Sequence, residues 1–375
     1  MDNKIKFGQN SNIWVKRICG LNLNAIFIIL LSVVFSNCNK DTELVPGPVY
    51  GPVVNKLFGE VPALVQEVSF RSNGFSIVGD FRTPIDGGVH PAIIMVHGSG
   101  NATRNGAVPF EPLIEIFIKN GFSVLSWDKP GSGGSKGSFD PEYKLTQRAH
   151  IVADAVKLLI DNPMVNHSSI GLWGISAAGW VMPLTLELTD NVAFMIVVSG
   201  GGEDSIEQYA YQVAQVVACN GGSDEDVQAV ELNWSQMAKA LEYSDYRKAV
   251  DILVNIPGVT DYTGLAITEE DQWNPWPRDI DAFFDPMDVI KHTSIPMLVY
   301  FGELDKNIDP IQGAQAYESA LQEAGNQNCV IMIIENVGHI LTPANTGCLD
   351  EPVSAEYTPE YLSTLEDWLL TKILK

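Results

Sequence analysis

Six short apolar runs punctuate this chain: "AIIMV" (92–96), "FSVLSW" (122–127), "SIGLWG" (169–174), "VAFMIVVS" (192–199), "PMLVYF" (296–301) and "CVIMII" (329–334). Each is apolar at consecutive positions, so a strand built from it presents hydrocarbon on both faces. Such strands belong in a middle layer between helices. Helical stretches such as 145–161 and 176–188 lie between the runs. The expectation is an α/β fold with a mostly parallel sheet covered on both sides. Two alternating segments, "VQEVSF" and "GFSIVGDF", flank Asn73-Gly74 and read as an antiparallel hairpin ahead of that sheet. The last segment, 357–373, places Leu362, Leu365, Leu369 and Ile373 at helical spacing.

The rhythm breaks once. Between "VVSG" and "PMLVYF" lie about ninety residues, too many for one crossover helix. Residues 203–290 are therefore expected to form an inserted helical cap, and the core to comprise 61–202 and 291–375. The insertion carries 18 Asp/Glu against four Lys/Arg. The whole chain of 375 residues has a formal charge of −23. That balance argues against nucleic acid and anionic membrane surfaces as partners.

The N-terminus reads as a targeting segment. Lys4, Lys6, Lys16 and Arg17 precede an apolar stretch from Ala25 to Phe35, followed by "SNCNKDTE". A basic region, a short apolar region and a cleavage site over 1–37 have the layout of an export signal. The apolar part is too short to span a bilayer comfortably. Cys38 at its end resembles the lipobox cysteine of bacterial lipoproteins, which implies lipid attachment at Cys38 and a tether over 38–60. The expected location is outside the cytoplasm, with membrane contact only through that lipid. Of the remaining cysteines in such a chain, Cys219, Cys329 and Cys348, at most two pair in a disulfide. No CxxC or Cys/His cluster indicates a zinc site.

The chemistry gathers in loops after the apolar runs. Serine hydrolysis needs a hydroxyl, a base, a carboxylate that orients the base, and N–H donors for the oxyanion. In "SIGLWGISAAGW" a strand ends near Gly174, Ser176 stands at the turn, and Ala177, Ala178 and Gly179 open a helix. Only small neighbours let strand and helix approach around a strained nucleophile. Ala178 occupies a place usually given to glycine, with Gly179 expected to supply slack. "YFGELDKNIDP" offers Glu303, Asp305 and Asp309. Asp309 before Pro310 reads as a helix N-cap, and Glu303 lies too near the strand end. Asp305 is left as the orienting acid. "CVIMIIENVGHIL" places His339 in the loop after the last run, as the base. The backbone N–H groups of Ser99, in "VHGSG", and of Ala177 are the candidate oxyanion donors. His97 is read as a brace for its loop. The glycines of "DKPGSGGS" (128–135) lack a following Gly-Lys-Ser/Thr and the spacing of a dinucleotide fingerprint, so a tight loop is expected there.

Taken in order, "VHGSG", "SWDKPGSGGSKG", "IGLWGISAAGW", "FGELDKNI" and "VGHI" resemble the α/β-hydrolase superfamily. The resemblance is greatest to the group containing serine aminopeptidases, dienelactone hydrolases and acyl-CoA thioester hydrolases, and covers about residues 64–373. It implies an eight-stranded, mostly parallel sheet with a cap, an acyl-serine intermediate, and no metal or organic cofactor. It also implies Ser176 as nucleophile, His339 as base and Asp305 as acid. The leading functional reading is hydrolysis of a small-molecule carboxylic ester. Alternatives are a serine peptidase, an acyl thioesterase, and a binding protein on an inactive scaffold. The acidic insertion is expected to disfavour polyanionic acyl-CoA substrates. Trp234, Trp273, Trp276, Phe283 and Phe284 are candidates for an acyl pocket or for the packing of the insertion itself.

Overall fold

The computed structural model describes residues 47–106, 108–137, 144–277 and 281–375, so the segment 1–37 read as an export signal and Cys38 lie outside the described residues. Three strands, β1 (Val49–Phe58), β2 (Val61–Ser72) and β3 (Phe75–Pro84), form an antiparallel end to the sheet. β3 pairs antiparallel with β5 (Ser123–Trp127). From there β5, β4 (His90–Val96), β6 (Val165–Ile175), β7 (Phe194–Val198), β8 (Met297–Gly302) and β9 (Cys329–Ile334) run parallel in that spatial order.

Residue alternation along the buried strands explains the continuous apolar runs. Ile94, Val96, Met195, Val197 and Val299 enter one core with helices α2 (Leu145–Ile160), α3 (Ala178–Leu186) and α9 (Pro310–Glu323). Their neighbours Ile93, Met95, Ile196, Val198 and Tyr300 enter a second core with α1 (Glu111–Lys119) and α10 (Pro359–Trp368). Successive side chains of a strand point to opposite faces, so a strand between two cores is apolar at nearly every position.

The sheet has nine strands where eight were expected. The extra one, β1, takes up ten residues of the 38–60 segment read as a tether. It lies at the edge, with nine of its ten residues wholly or partly exposed. Its apolar residues Val49, Tyr50, Val53, Val54 and Leu57 are exposed and do not alternate, so no buried face marks it in the sequence. Gly51 and Pro52 coincide with a break in its register, and proline is admissible in an edge strand.

Between β7 and β8 lie α4 (Ser205–Cys219), α5 (Asp224–Lys239), α6 (Tyr243–Leu253), α7 (Val259–Thr263) and α8 (Met287–Ile290). Ile206, Val213, Val230, Trp234 and Val250 build a separate core there. Asp204 caps α4 through the amides of Ile206 and Glu207, and Ser223 with Asp226 forms a capping box on α5. Trp273 and Phe283 pack against this core with Trp234, while Phe284 joins the main core and Trp276 is exposed. Trp234, Trp273 and Phe283 thus pack the insertion itself. Among the described residues no helix is long and apolar enough to cross a membrane.

Candidate active site

The parallel strands place four loops at one edge. β4 is the first parallel strand, with β5 on one side and β6 on the other, so the chain's winding reverses at β4. The crevice beyond the strand ends at such a point is where an open α/β sheet holds its ligand. The loops after β4 and β6 carry His97–Gly100 and Ser176, and those after β8 and β9 carry Asp305 and His339.

Ser176 has φ +57°, a left-handed conformation rare for a residue with a side chain. Its amide donates to Val198 O on β7 at 2.9 Å, which fixes the turn against the sheet. Ser176 and Ala177 are half-buried between buried neighbours. Ala178 is accommodated because Gly174 is bare. A β-carbon at Gly174 would lie 2.6 Å from the Ala178 methyl. Gly179 does not supply slack: its Cα lies directly against the backbone of Gly200 and Gly201, leaving no room for a β-carbon. The motif's extra methyl at position 178 is thus matched by an absent one at 174.

Asp305 is 1% exposed and has well-defined partners. Its Oδ1 accepts from the amides of Asn307 (2.8 Å) and Ile308 (3.0 Å), and its Oδ2 is 2.9 Å from His339 Nδ1. A carboxylate only accepts, so Nδ1 carries the proton and Nε2 presents its lone pair. Glu303 turns away to accept from the Asn336 amide, and Asp309 caps α9 through the amides of Ile311 and Gln312. The structure therefore brings Asp305, and neither of its acidic neighbours, to His339.

The loop after β4 touches the Ser176 turn. A β-carbon at Gly98 would lie 3.2 Å from Ser176 Cβ and 3.1 Å from Ile175 O. Among the described residues the amides of Ser99 and Ala177 make no hydrogen bond. His97 lies behind the loop, its Nε2 2.7 Å from Trp127 O and its ring stacked on Phe110. Burial, then the nearby Lys129 charge, pushes its pKa down to about 3, so it stays neutral and serves as a brace.

Three features were not evident in the sequence. Lys129 and Arg148 hydrogen-bond the carbonyls of the 97–100 loop. Tyr211 on α4 donates to Asp305 O at 2.9 Å, while Gln208 and Gln212 reach Asn307. A disulfide joins Cys219, at the end of α4, to Cys348, leaving Cys329 free. The loop "DKPGSGGS" is a brace too: the Asp128 carboxylate holds Arg104 and the Gly134 amide. Among the described residues no group of three or more His, Cys, Asp or Glu is placed to hold a metal ion.

Comparison with known proteins agrees with this architecture. A thiohydrolase of Aspergillus aculeatus is 37% identical over 89 residues, 24% of this chain and 27% of its own length. A Penicillium polyketide transferase is 31% identical over 109 residues, 29% of this chain and 36% of its own. The chain thus matches about a quarter to a third of the length of these relatives. An esterase of Pyrococcus furiosus superposes with a TM-score of 0.51 at 15% identity, over 82% of this chain and 93% of that one. The acylaminoacyl peptidase of Pyrococcus horikoshii gives 0.53 at 15% identity, over 86% of this chain and 42% of that one. These similarities show the α/β-hydrolase fold. The model of the family described as X-Pro dipeptidyl-peptidase (S15 family) matches residues 44–340, and the chain belongs to that family of hydrolases.

Proposed function

We propose that the protein is a serine hydrolase that cleaves a carboxylic ester through an acyl-serine intermediate, with Ser176, His339 and Asp305 as its triad. The observation that carries this reading is the 2.9 Å contact between a buried Asp305 and His339 at the same sheet edge as a serine held at φ +57°. His339 Nε2 takes the Ser176 proton as Oγ attacks the acyl carbon. The carbonyl π-bond becomes an oxyanion received by the Ser99 and Ala177 amides. Collapse expels the alcohol, protonated by His339, and leaves the acyl-serine. Water, deprotonated by His339, then attacks the acyl carbon and restores Ser176. Asp305 holds the ring with Nδ1 protonated and stabilises the imidazolium formed in each half-reaction.

Amide hydrolysis is the second reading, favoured by the family match. The same triad serves both chemistries, and the pocket selects the leaving group. The Cys219–Cys348 disulfide supports the proposal of an exported enzyme, since such bonds persist outside the reducing cytoplasm. Lipid attachment at Cys38 is part of that proposal.

A panel of p-nitrophenyl esters, acyl-CoA thioesters, and aminoacyl and X-Pro p-nitroanilides tests the reading. Neutral short-chain esters should be turned over with the highest kcat/KM. Ser176→Ala and His339→Ala should each lower kcat about ten-thousand-fold or more with Tm preserved. Asp305→Asn should cost less but still orders of magnitude. An X-Pro anilide preferred over every ester would replace the ester reading with the peptidase one. Full activity of Ser176→Ala would remove both.

A further inference from the structure

The loop after β4 exposes its carbonyls to a buried lysine and a buried arginine. Lys129 Nζ donates to Gly98 O at 2.5 Å and to Gly100 O at 2.6 Å. Arg148 Nη2 donates to His97 O and, at 3.0 Å, to Gly98 O. Both side chains are almost wholly buried, Lys129 at 4% exposure and Arg148 at 9%. Burying a lysine or an arginine is costly, and arrangements that do so are retained where the donors have a task.

Peptide geometry says what that task is. In a trans peptide the C=O and the following N–H point in opposite directions. Gly98 O is held on the Lys129–Arg148 side, so the Ser99 N–H of the same peptide points the other way. Gly98 also borders the Ser176 turn, where a β-carbon on it would lie 3.2 Å from Ser176 Cβ, and we take that turn as the far side. The same reasoning turns the Gly98 and Asn101 amides away from Lys129 and Arg148. The two loops are also stitched together: Lys129 N donates to Ala102 O at 3.0 Å, and the Arg104 amide donates to the Asp128 carboxylate at 2.7 Å. A hydrogen-bond donor on the carbonyl end of a peptide polarises its N–H end, which strengthens the bond that N–H donates.

We propose that Lys129 and Arg148 are positioning residues of the oxyanion hole, setting the Gly98–Ser99 peptide from behind so that its N–H meets the developing charge. The proposal rests on the reading of Ser99 as an oxyanion donor. Neither side chain touches substrate. Their contribution appears only as the carbonyl oxygen gains charge, so it belongs in kcat and not in substrate binding. Lys129 has two carbonyl acceptors and at least two N–H bonds in either protonation state, so the support persists whether or not the amine is charged.

The test uses the best ester from the panel and its thionoester, in which C=S replaces C=O. Sulfur is a weak hydrogen-bond acceptor, so an oxyanion hole favours the oxygen ester. Lys129→Met should lower kcat on the ester about 10- to 100-fold, with KM changed less than about threefold. The ester-to-thionoester ratio of kcat/KM should shrink by a similar factor. Arg148→Lys, which keeps the charge and loses the fork, should show a smaller loss of the same kind. A structural defect would lower both substrates equally and leave the ratio alone, and that result overturns the proposal. So does failure of both variants to fold, which would assign the pair to stability. Inactive Lys129→Met alongside active Ser176→Ala would instead count against the serine-hydrolase reading itself.

Discussion

At the scale of single residues, the electrostatics near the sheet edge are unequal. His97 is kept neutral by burial, and Lys129 is pushed down to about 6 by burial and by Arg148. Glu203, just after the Gly200–Gly202 turn, behaves in the opposite sense. Burial, then Glu207, Asp204, Asp309 and Asp285, raises its carboxyl from 4.5 to about 8. An acid with a raised folded pKa holds its proton more tightly in the fold than in the unfolded chain. The stability this confers is present below about 4.5 and is lost as pH rises through about 8. Glu203→Gln fixes the neutral form. Its Tm should match wild type near pH 5 and exceed it by a few degrees near pH 9, read by thermal melts across that range. A lower Tm than wild type at pH 9 would show that the ionised carboxylate has a stabilising partner.

At the scale of elements, the β6–α3 junction shows how a variant motif keeps its geometry. Gly174, next to last in β6, lies beneath α3, where a β-carbon would meet the Ala178 methyl at 2.6 Å and Met182 Sδ at 2.8 Å. Gly174→Ala should therefore destabilise by about 1–3 kcal/mol and lower kcat by displacing the Ser176 turn. Gly174→Ala combined with Ala178→Gly should recover part of both losses. Urea unfolding and ester kinetics on the three variants measure this, and an additive double variant would refute the shared-space argument. The parallel strands and the loops after them were legible because a strand between two cores is apolar at nearly every position. That rule also locates the loops of Ser176, Asp305 and His339 without knowing the structure. β1 was not legible, since an exposed edge strand has no such requirement. Nor were the partners of Lys129 and Arg148: backbone carbonyls 29 to 51 residues away leave no side-chain pattern in the sequence. The choice among three thiols for one disulfide likewise depends on the fold.

At the scale of the whole molecule, the insertion is tied to the loops of both candidate partners of Ser176. α4 holds the Asp305 loop through Tyr211, Gln208 and Gln212, and its last residue is bonded to Cys348, nine positions beyond His339. The cross-link spans 129 residues. Closing a loop of that length in the unfolded chain sets an entropic ceiling of about 5 kcal/mol on its stabilisation. Cys219→Ser with Cys348→Ser should lower the unfolding free energy by about 2–5 kcal/mol. The same α4 contacts predict a functional effect. With the α4 terminus released, the segment after His339 loses its covalent anchor, and kcat should fall more than stability at assay temperature explains. Reducing the wild-type protein should reproduce both effects, while the double variant should not respond to reductant. Denaturant titrations and ester kinetics with and without reductant provide the check. Unchanged kcat in a folded, reduced enzyme would mean that the hydrogen bonds from α4 to the Asp305 loop suffice, and that the disulfide serves stability alone.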